Sequence, residues 1–160
     1  MEKDHVFHRN CYEILRMGLD IESKLDFFIS NYFCSPQSYK TFVFEDLILV
    51  EFMGFGRKIE LFKKICKKEN IDKERINKIV EAVRFVNNIR NRVAHDELII
   101  SNQKEGIKLQ KRKSVQDKKD ELKITDDLAK EVDERKLFSI QEIIKIHIEL
   151  SNPSRDIAGW

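Results

Sequence analysis

Apolar residues recur at helical spacing along most of the chain and predict a succession of helices. From about Asp4 to Phe33 one stripe collects Phe7, Cys11, Ile14, Leu15, Gly18, Ile21, Leu25, Phe28, Ile29 and Tyr32. A long first helix is predicted there, and Gly18 suits a close crossing by another helix because it has no side chain. Pro36, within Cys34-Ser35-Pro36-Gln37-Ser38, disfavours helix in the residue before it and marks a break. Tyr39 to Met53 follows, apolar between Phe42 and Phe52 except for Glu45, Asp46 and Glu51. Such a run suits a buried helix or a buried strand; its length and its neighbours favour helix. After the turn Gly54-Phe55-Gly56, a short amphipathic helix is predicted over about Arg57 to Lys68. Its stripe is Ile59, Phe62, Ile65 and Cys66, with Leu61 beside it.

The clearest pattern runs from about Lys73 to Ala94, where Ile76, Ile79, Val80, Val83, Val86, Ile89 and Val93 form an inward face. Asp72 is a good N-cap for it. Beyond it the period changes to that of strands. Leu98–Ser101 and Ile107–Gln110, joined through Asn102–Gly106, read as a small β-hairpin. Lys111 to Glu121 is lysine-rich with few apolar anchors and reads as an exposed loop. Thr125-Asp126-Asp127 opens a final helix to about Leu150, with a kink expected near Ser139 and a last face of Ile140, Ile143, Ile144, His147 and Ile148. Ser151-Asn152-Pro153 ends it, and the tail to Trp160 is expected to be loosely held. No internal repeat is present.

The 160 residues suit one domain with one continuous core. Its expected parts are a helical core over 1–96, a hairpin and basic loop over 97–123, and a C-terminal helix over 124–152. Five glycines and two prolines leave long helices uninterrupted. A net charge of +2 is uninformative, because 36% of residues are charged and both signs are patterned. No stretch approaches the roughly 20 apolar residues of a membrane span, and the polar start Met1–His5 leads into no apolar signal region. A cytoplasmic protein without membrane association is therefore expected. Cys11, Cys34 and Cys66 have neither CxxC nor Cys/His metal spacing and read as reduced, semi-buried thiols.

The candidate chemistry lies at the end of the clearest helix, in Asn88-Ile89-Arg90-Asn91-Arg92-Val93-Ala94-His95-Asp96. An imidazole titrating near neutrality can take a proton from a ribose 2′-hydroxyl or give one to a departing 5′-oxygen. A guanidinium offers paired donors to the charge that builds on phosphorane oxygens. The adjacent amide can orient either group or bind the phosphate. This chemistry asks for no metal, and the sequence has no clustered Asp/Glu/His ligand set; no cofactor is expected. On a straight helix five residues advance by about 500°, leaving Arg90 and His95 roughly 140° apart. They share a site only if the helix ends or unwinds between them, or if a second subunit completes the set. Asp96 and the strand-like Leu98-Ile99-Ile100 make an ending plausible.

Arg90-Asn91 followed by His95 at the end of a long helix resembles the signature of the HEPN superfamily. That signature is an arginine, four to six residues and a histidine, often with a polar residue directly after the arginine. About Phe7 to Asp96 is similar to the family's helical plan of a long first helix, an antiparallel partner and a motif-bearing helix. The resemblance implies an all-α, antiparallel helical bundle of HEPN type, here with a β-hairpin insertion and a C-terminal helix. It further implies a homodimer that cuts RNA without metal at a joint cleft, as toxins and antiviral defence effectors do. On this chain the catalytic set would be Arg90, Asn91 and His95, with His95 as acid and base and Arg90 stabilising the transition state. The implied partners are RNA, a second copy, and a cognate antitoxin or nucleotidyltransferase-like protein. One branch carries a tyrosine two residues after the histidine, which a nucleotidyltransferase modifies. Here Glu97 stands at that position, which argues against that route. The hairpin, loop and last helix lie outside the minimal family core and suit a branch-specific surface.

Other residues admit a functional and a plainer reading. Arg92 suits an RNA-backbone contact or an exposed helix-end arginine, and Asp96 suits orientation of His95 or a turn. Glu22 sits at the edge of the first stripe and reads as a solvated helix edge, though an antiparallel neighbour would bring it toward His95. His147, among isoleucines, reads as a core or interface histidine. Arg57, Lys58, Lys63, Lys64, Lys67 and Lys68 fall mostly on the outer side of the third helix. Lys108, Lys111, Arg112, Lys113, Lys118 and Lys119 cluster in the hairpin and loop. Of these, Lys111, Arg112 and Lys113 are the RNA-binding candidates; a solvated face is the alternative. The rival function is a non-catalytic, dimeric scaffold or regulator of the same type that binds RNA or a protein.

Overall fold

The computed structural model describes residues 2–34, 39–95, 97–100, 107–110 and 121–152, with side chains for 5–34, 39–95 and 122–152. Helices dominate: α1 (Glu2–Phe33), α2 (Tyr39–Phe44), which continues as a π-helical stretch (Glu45–Val50), α3 (Phe55–Lys68), α4 (Lys73–His95) and α5 (Asp126–Ser151). Strands β1 (Glu97–Ile100), β2 (Ile107–Gln110) and β3 (Glu121–Lys123) form an antiparallel sheet in that order. The first pair registers Ile100 with Ile107 and Glu97 with Gln110; the second registers Lys108 with Lys123. β3 is an addition to the expected hairpin, and it delivers Ile124 into the core. The expected break at Ser35–Ser38, the hairpin turn, the loop at 111–120 and the tail from Pro153 lie outside the described residues.

The helix ends follow local chemistry. Asn70 closes α3 at φ 56°, a left-handed conformation that asparagine tolerates better than most residues, and the Ile71 amide returns to the Cys66 carbonyl at 2.9 Å. Asp72 caps α4 by accepting the Arg75 amide at 2.7 Å. Thr125 caps α5 by accepting the Leu128 amide at 3.1 Å.

α1 is the central element, packed against α3, α4 and α5. Ile14, Ile21, Leu25, Phe28 and Ile29 are buried along it, meeting Phe62 of α3, Ile79 and Val83 of α4, and Ile143 and Ile146 of α5 in one core. Contacts give the directions. Arg9 and Asn10 of α1 reach Asp126 at the start of α5, while Phe27 and Phe28 meet His147 near its end, so α1 and α5 run parallel. Lys58 of α3 reaches Glu22 and Asp26, and Phe62 meets Phe28, so α3 also runs with α1. Arg75, at the start of α4, bonds Glu142 and Glu149 near the end of α5. Only α4 therefore runs against the other long helices. The all-α class holds; a uniformly antiparallel bundle does not.

Three sequence expectations change. The run from Tyr39 to Phe52 is helical but not buried: Thr41 and Leu49 face inward, while Phe42, Leu47, Ile48, Val50 and Phe52 are exposed. Ile144 and Ile148 are exposed as well, because α5 turns Val132, Ser139, Ile143 and Ile146 inward. Lys58 faces the interior rather than the outer side of α3. It is 2% exposed, and its Nζ donates to Glu22 Oε1 at 2.9 Å and Asp26 Oδ2 at 2.8 Å. The three cysteines are free, and burial pushes the Cys11 and Cys66 thiols up to about 11 and about 12.

Asp26 Oδ1 is buried without a hydrogen-bond partner among the described residues. Burial raises the Asp26 pKa, and Glu22 adds to this, against the opposing pull of Lys58. A buried ion pair that loses one member leaves the other uncompensated, a cost of about 3–5 kcal/mol. Lys58→Met is therefore expected to destabilise the fold by about that amount, read as a lower urea midpoint at an unchanged slope.

Candidate functional site

α4 continues without interruption to His95, so it neither ends nor unwinds between Arg90 and His95. The two side chains consequently leave the axis roughly 140° apart. Arg90 turns toward α1, and its stem lies on Gly18. A Cβ at Gly18 would stand 2.8 Å from Arg90 Cγ and 3.2 Å from its Cβ. The close approach expected of Gly18 is thus real, and the group it admits is the motif arginine. Arg90 is 26% exposed; its Nη1 donates to Asn91 Oδ1 at 3.3 Å, and its Nη2 lies 3.9 Å from Glu22 Oε2. Glu22 is 20% exposed and sits between Arg90 and Lys58. The reading of Glu22 as a solvated edge is therefore corrected, and its motif partner is Arg90 rather than His95.

Gly18, Glu22 and Asp26 form one line on α1, each about one helical turn beyond the last. The line receives Arg90 on the glycine and first carboxylate, and Lys58 on both carboxylates. Glu45 of the π-helical stretch approaches the same group. Burial raises its pKa first, neighbouring Asp26 and Asp46 raise it further, and a hydrogen bond with Ser30 and then the charge of Lys58 partly offset them.

The Arg90 and Asn91 side chains open into a cleft of about 340 Å³, lined also by Phe52, Gly54, Phe55, Gly56, Arg57 and Asn87. The N-terminus of α3 enters this cleft. Its Gly54 cap has no capping side chain, and its first turn contains no acidic residue. The positive end of the helix dipole and the first amide groups therefore meet no carboxylate of their own turn, and with Arg57 and Arg90 they give the cleft wall its positive groups. Positions Gly54 and Gly56 meet nothing within 4 Å of a built Cβ, so the backbone there is open to approach. Asn87 Oδ1 is buried beside this wall without a hydrogen-bond partner among the described residues.

His95, the last residue of α4, is exposed and does not line the cleft. Arg92 is half-buried and is also absent from the lining. Asp96, Lys111, Arg112 and Lys113 lie outside the described residues. His147 makes edge-to-face contacts with Phe27 and Phe28 at 5.1 and 6.3 Å, and burial lowers its pKa. Among the described residues, no group of three or more His, Cys, Asp and Glu is placed to hold a metal.

The sequence reading grouped Arg57 with the surface lysines and did not single out Asn87. Both had a legible signal. Asn87 precedes Arg90 and Asn91 by three and four residues, which puts all three on one helix face, and Arg57 follows a Gly-x-Gly helix start.

Gly18→Ala tests the arrangement. The added methyl gains about 1 kcal/mol in helix preference but collides with the Arg90 stem. The net change in stability is expected to stay within about 1 kcal/mol of zero, while the Arg90 guanidinium leaves Glu22. A thermal melt beside the activity assay proposed below separates the two effects.

Comparison of the chain with protein-family models, with curated proteins and with solved structures finds no match, so the reading of the site rests on its own residues.

Proposed function

We propose that the chain is a metal-independent RNA endonuclease of HEPN type, a toxin or antiviral defence effector acting as a homodimer. The observation that carries this reading is the division of the motif. Arg90 and Asn91 share a cleft with Arg57, while the unbroken helix sends His95 to another side. One copy thus presents two halves of a phosphodiester-cleaving set that do not meet, and a second copy would bring unlike halves together. In the joined site His95 takes the proton of the ribose 2′-hydroxyl. The O2′–P bond forms, the P–O5′ bond breaks, and an imidazolium returns a proton to O5′. Arg90 and Asn91 donate to the phosphorane oxygens as their charge grows.

The exposed apolar residues of α2, its π-helical extension and the residues just after it support the homodimer. Phe42, Val50 and Phe52 are each at least 60% exposed, and Phe52 is also a wall of the Arg90 cleft. Exposed apolar residues of this number call for a cover. A second copy fits best, because Phe52 belongs both to this exposed apolar segment and to the cleft that a second copy would complete. Among the described residues no helix is long and apolar enough to cross a membrane.

Mixing inactive variants tests the shared site. Arg90→Ala and His95→Ala homodimers are each expected to leave labelled RNA intact in EDTA. Equal amounts, unfolded and refolded together, should regain about a quarter of wild-type cleavage, since half the dimers form with one of two sites whole. No regain, with mixed dimers present, contradicts the shared site. Folded dimeric wild type that binds RNA or protein without cutting it favours the scaffold reading. The double variant Phe42→Asp/Val50→Asp is expected to sediment as a monomer and to lose cleavage; a retained dimer would place the interface elsewhere.

A further inference from the structure

The carboxylates on α1 do more than neutralise a buried lysine. We infer that Glu22 is a positioning residue for Arg90, and that Lys58 limits how strongly Glu22 binds it; this rests on the reading of Arg90 as the phosphate-binding arginine. Glu22 has two oxygens with different tasks. Oε1 accepts from Lys58 Nζ at 2.9 Å, a short charge-assisted bond to an ammonium that is almost fully buried. Oε2 faces Arg90 Nη2 at 3.9 Å, within reach of charge attraction but beyond a hydrogen bond.

This asymmetry matters for an arginine that must serve an incoming anion. A carboxylate free to turn would take the guanidinium in a paired, fork-like contact and occupy the donors a phosphate needs. Lys58 prevents that by holding Glu22 at one oxygen. Arg90 is then restrained on three sides: its stem against Gly18, its Nη1 on Asn91, and its Nη2 within the field of Glu22. Only one of its five N–H groups is committed to a hydrogen bond among the described residues. The side chain is oriented toward the cleft yet remains available to it.

Asp26 supplies the control. It shares Lys58 with Glu22 but forms no pair with Arg90 among the described residues. Glu22→Gln and Asp26→Asn are both near-isosteric and each removes one charge from Lys58, so a purely structural role treats them alike. A positioning role separates them. In the full chain, the Nε–Hε signal of Arg90, identified by its loss in Arg90→Lys, should report a restrained side chain by NMR relaxation. It should become mobile in Glu22→Gln and stay restrained in Asp26→Asn. In cleavage of labelled RNA, Glu22→Gln should lower kcat by about tenfold or more with KM within about threefold. Asp26→Asn should lower the melting temperature and keep kcat within about threefold. An Arg90 signal indifferent to Glu22→Gln, or equal losses of kcat in the two variants, overturns the inference. If wild type leaves RNA intact while Arg90 still loosens in Glu22→Gln, the nuclease reading fails and the positioning of Arg90 by Glu22 stands.

Discussion

A lysine ammonium taken out of water costs several kcal/mol unless it is paired and hydrogen-bonded, and the burial of Lys58 imposes that condition on the centre of this fold. α3 inserts Lys58 beside α1, so α1 must present Glu22 and Asp26 on its inward side, one turn apart. Those positions lie in line with Gly18, where α4 comes close enough to rest Arg90 on α1. The same carboxylate that satisfies Lys58 therefore faces the motif arginine. Core and candidate site are joined through one ion network, which runs from the buried pair Lys58 and Asp26 to the partly exposed pair Glu22 and Arg90.

Much of the fold was legible because its signals are local. The α1 and α4 stripes and the Asp72 and Thr125 caps each depend on a few neighbouring residues, and the structure keeps them all. The orientation of apolar faces was not legible in the same way. Phe42, Val50 and Phe52 have the composition of a buried run, yet the inward positions of that segment are Thr41 and Leu49. Hydrophobic content states that a face needs cover, not whether its own chain supplies it. Ile144 and Ile148 fail as core residues for a related reason, since a helix with apolar residues on several sides offers more than one inward face.

Polar residues at the site were the hardest to assign. Lys58 and Glu22 look like ordinary charged positions on amphipathic helices, and only the packing of α3 on α1 shows that they are partners. The motif itself behaved differently. Its spacing already required either a broken helix or a second copy, and continuous helix through His95 removes the first choice. Phe52, exposed and lining the Arg90 cleft, is where the proposed second copy would meet both the apolar segment and the motif.

If an arginine, an amide and an imidazole cut RNA by way of the ribose 2′-hydroxyl, as proposed, the ends of the products carry the signature. Purified wild-type protein given RNA in excess EDTA should yield fragments ending in a 2′,3′-cyclic phosphate and a 5′-hydroxyl, with no cut where the nucleotide 5′ to the scissile phosphate is replaced by its 2′-deoxy form. Fragments with a 3′-hydroxyl and a 5′-phosphate, or cleavage unaffected by the 2′-deoxy substitution, would contradict the proposal.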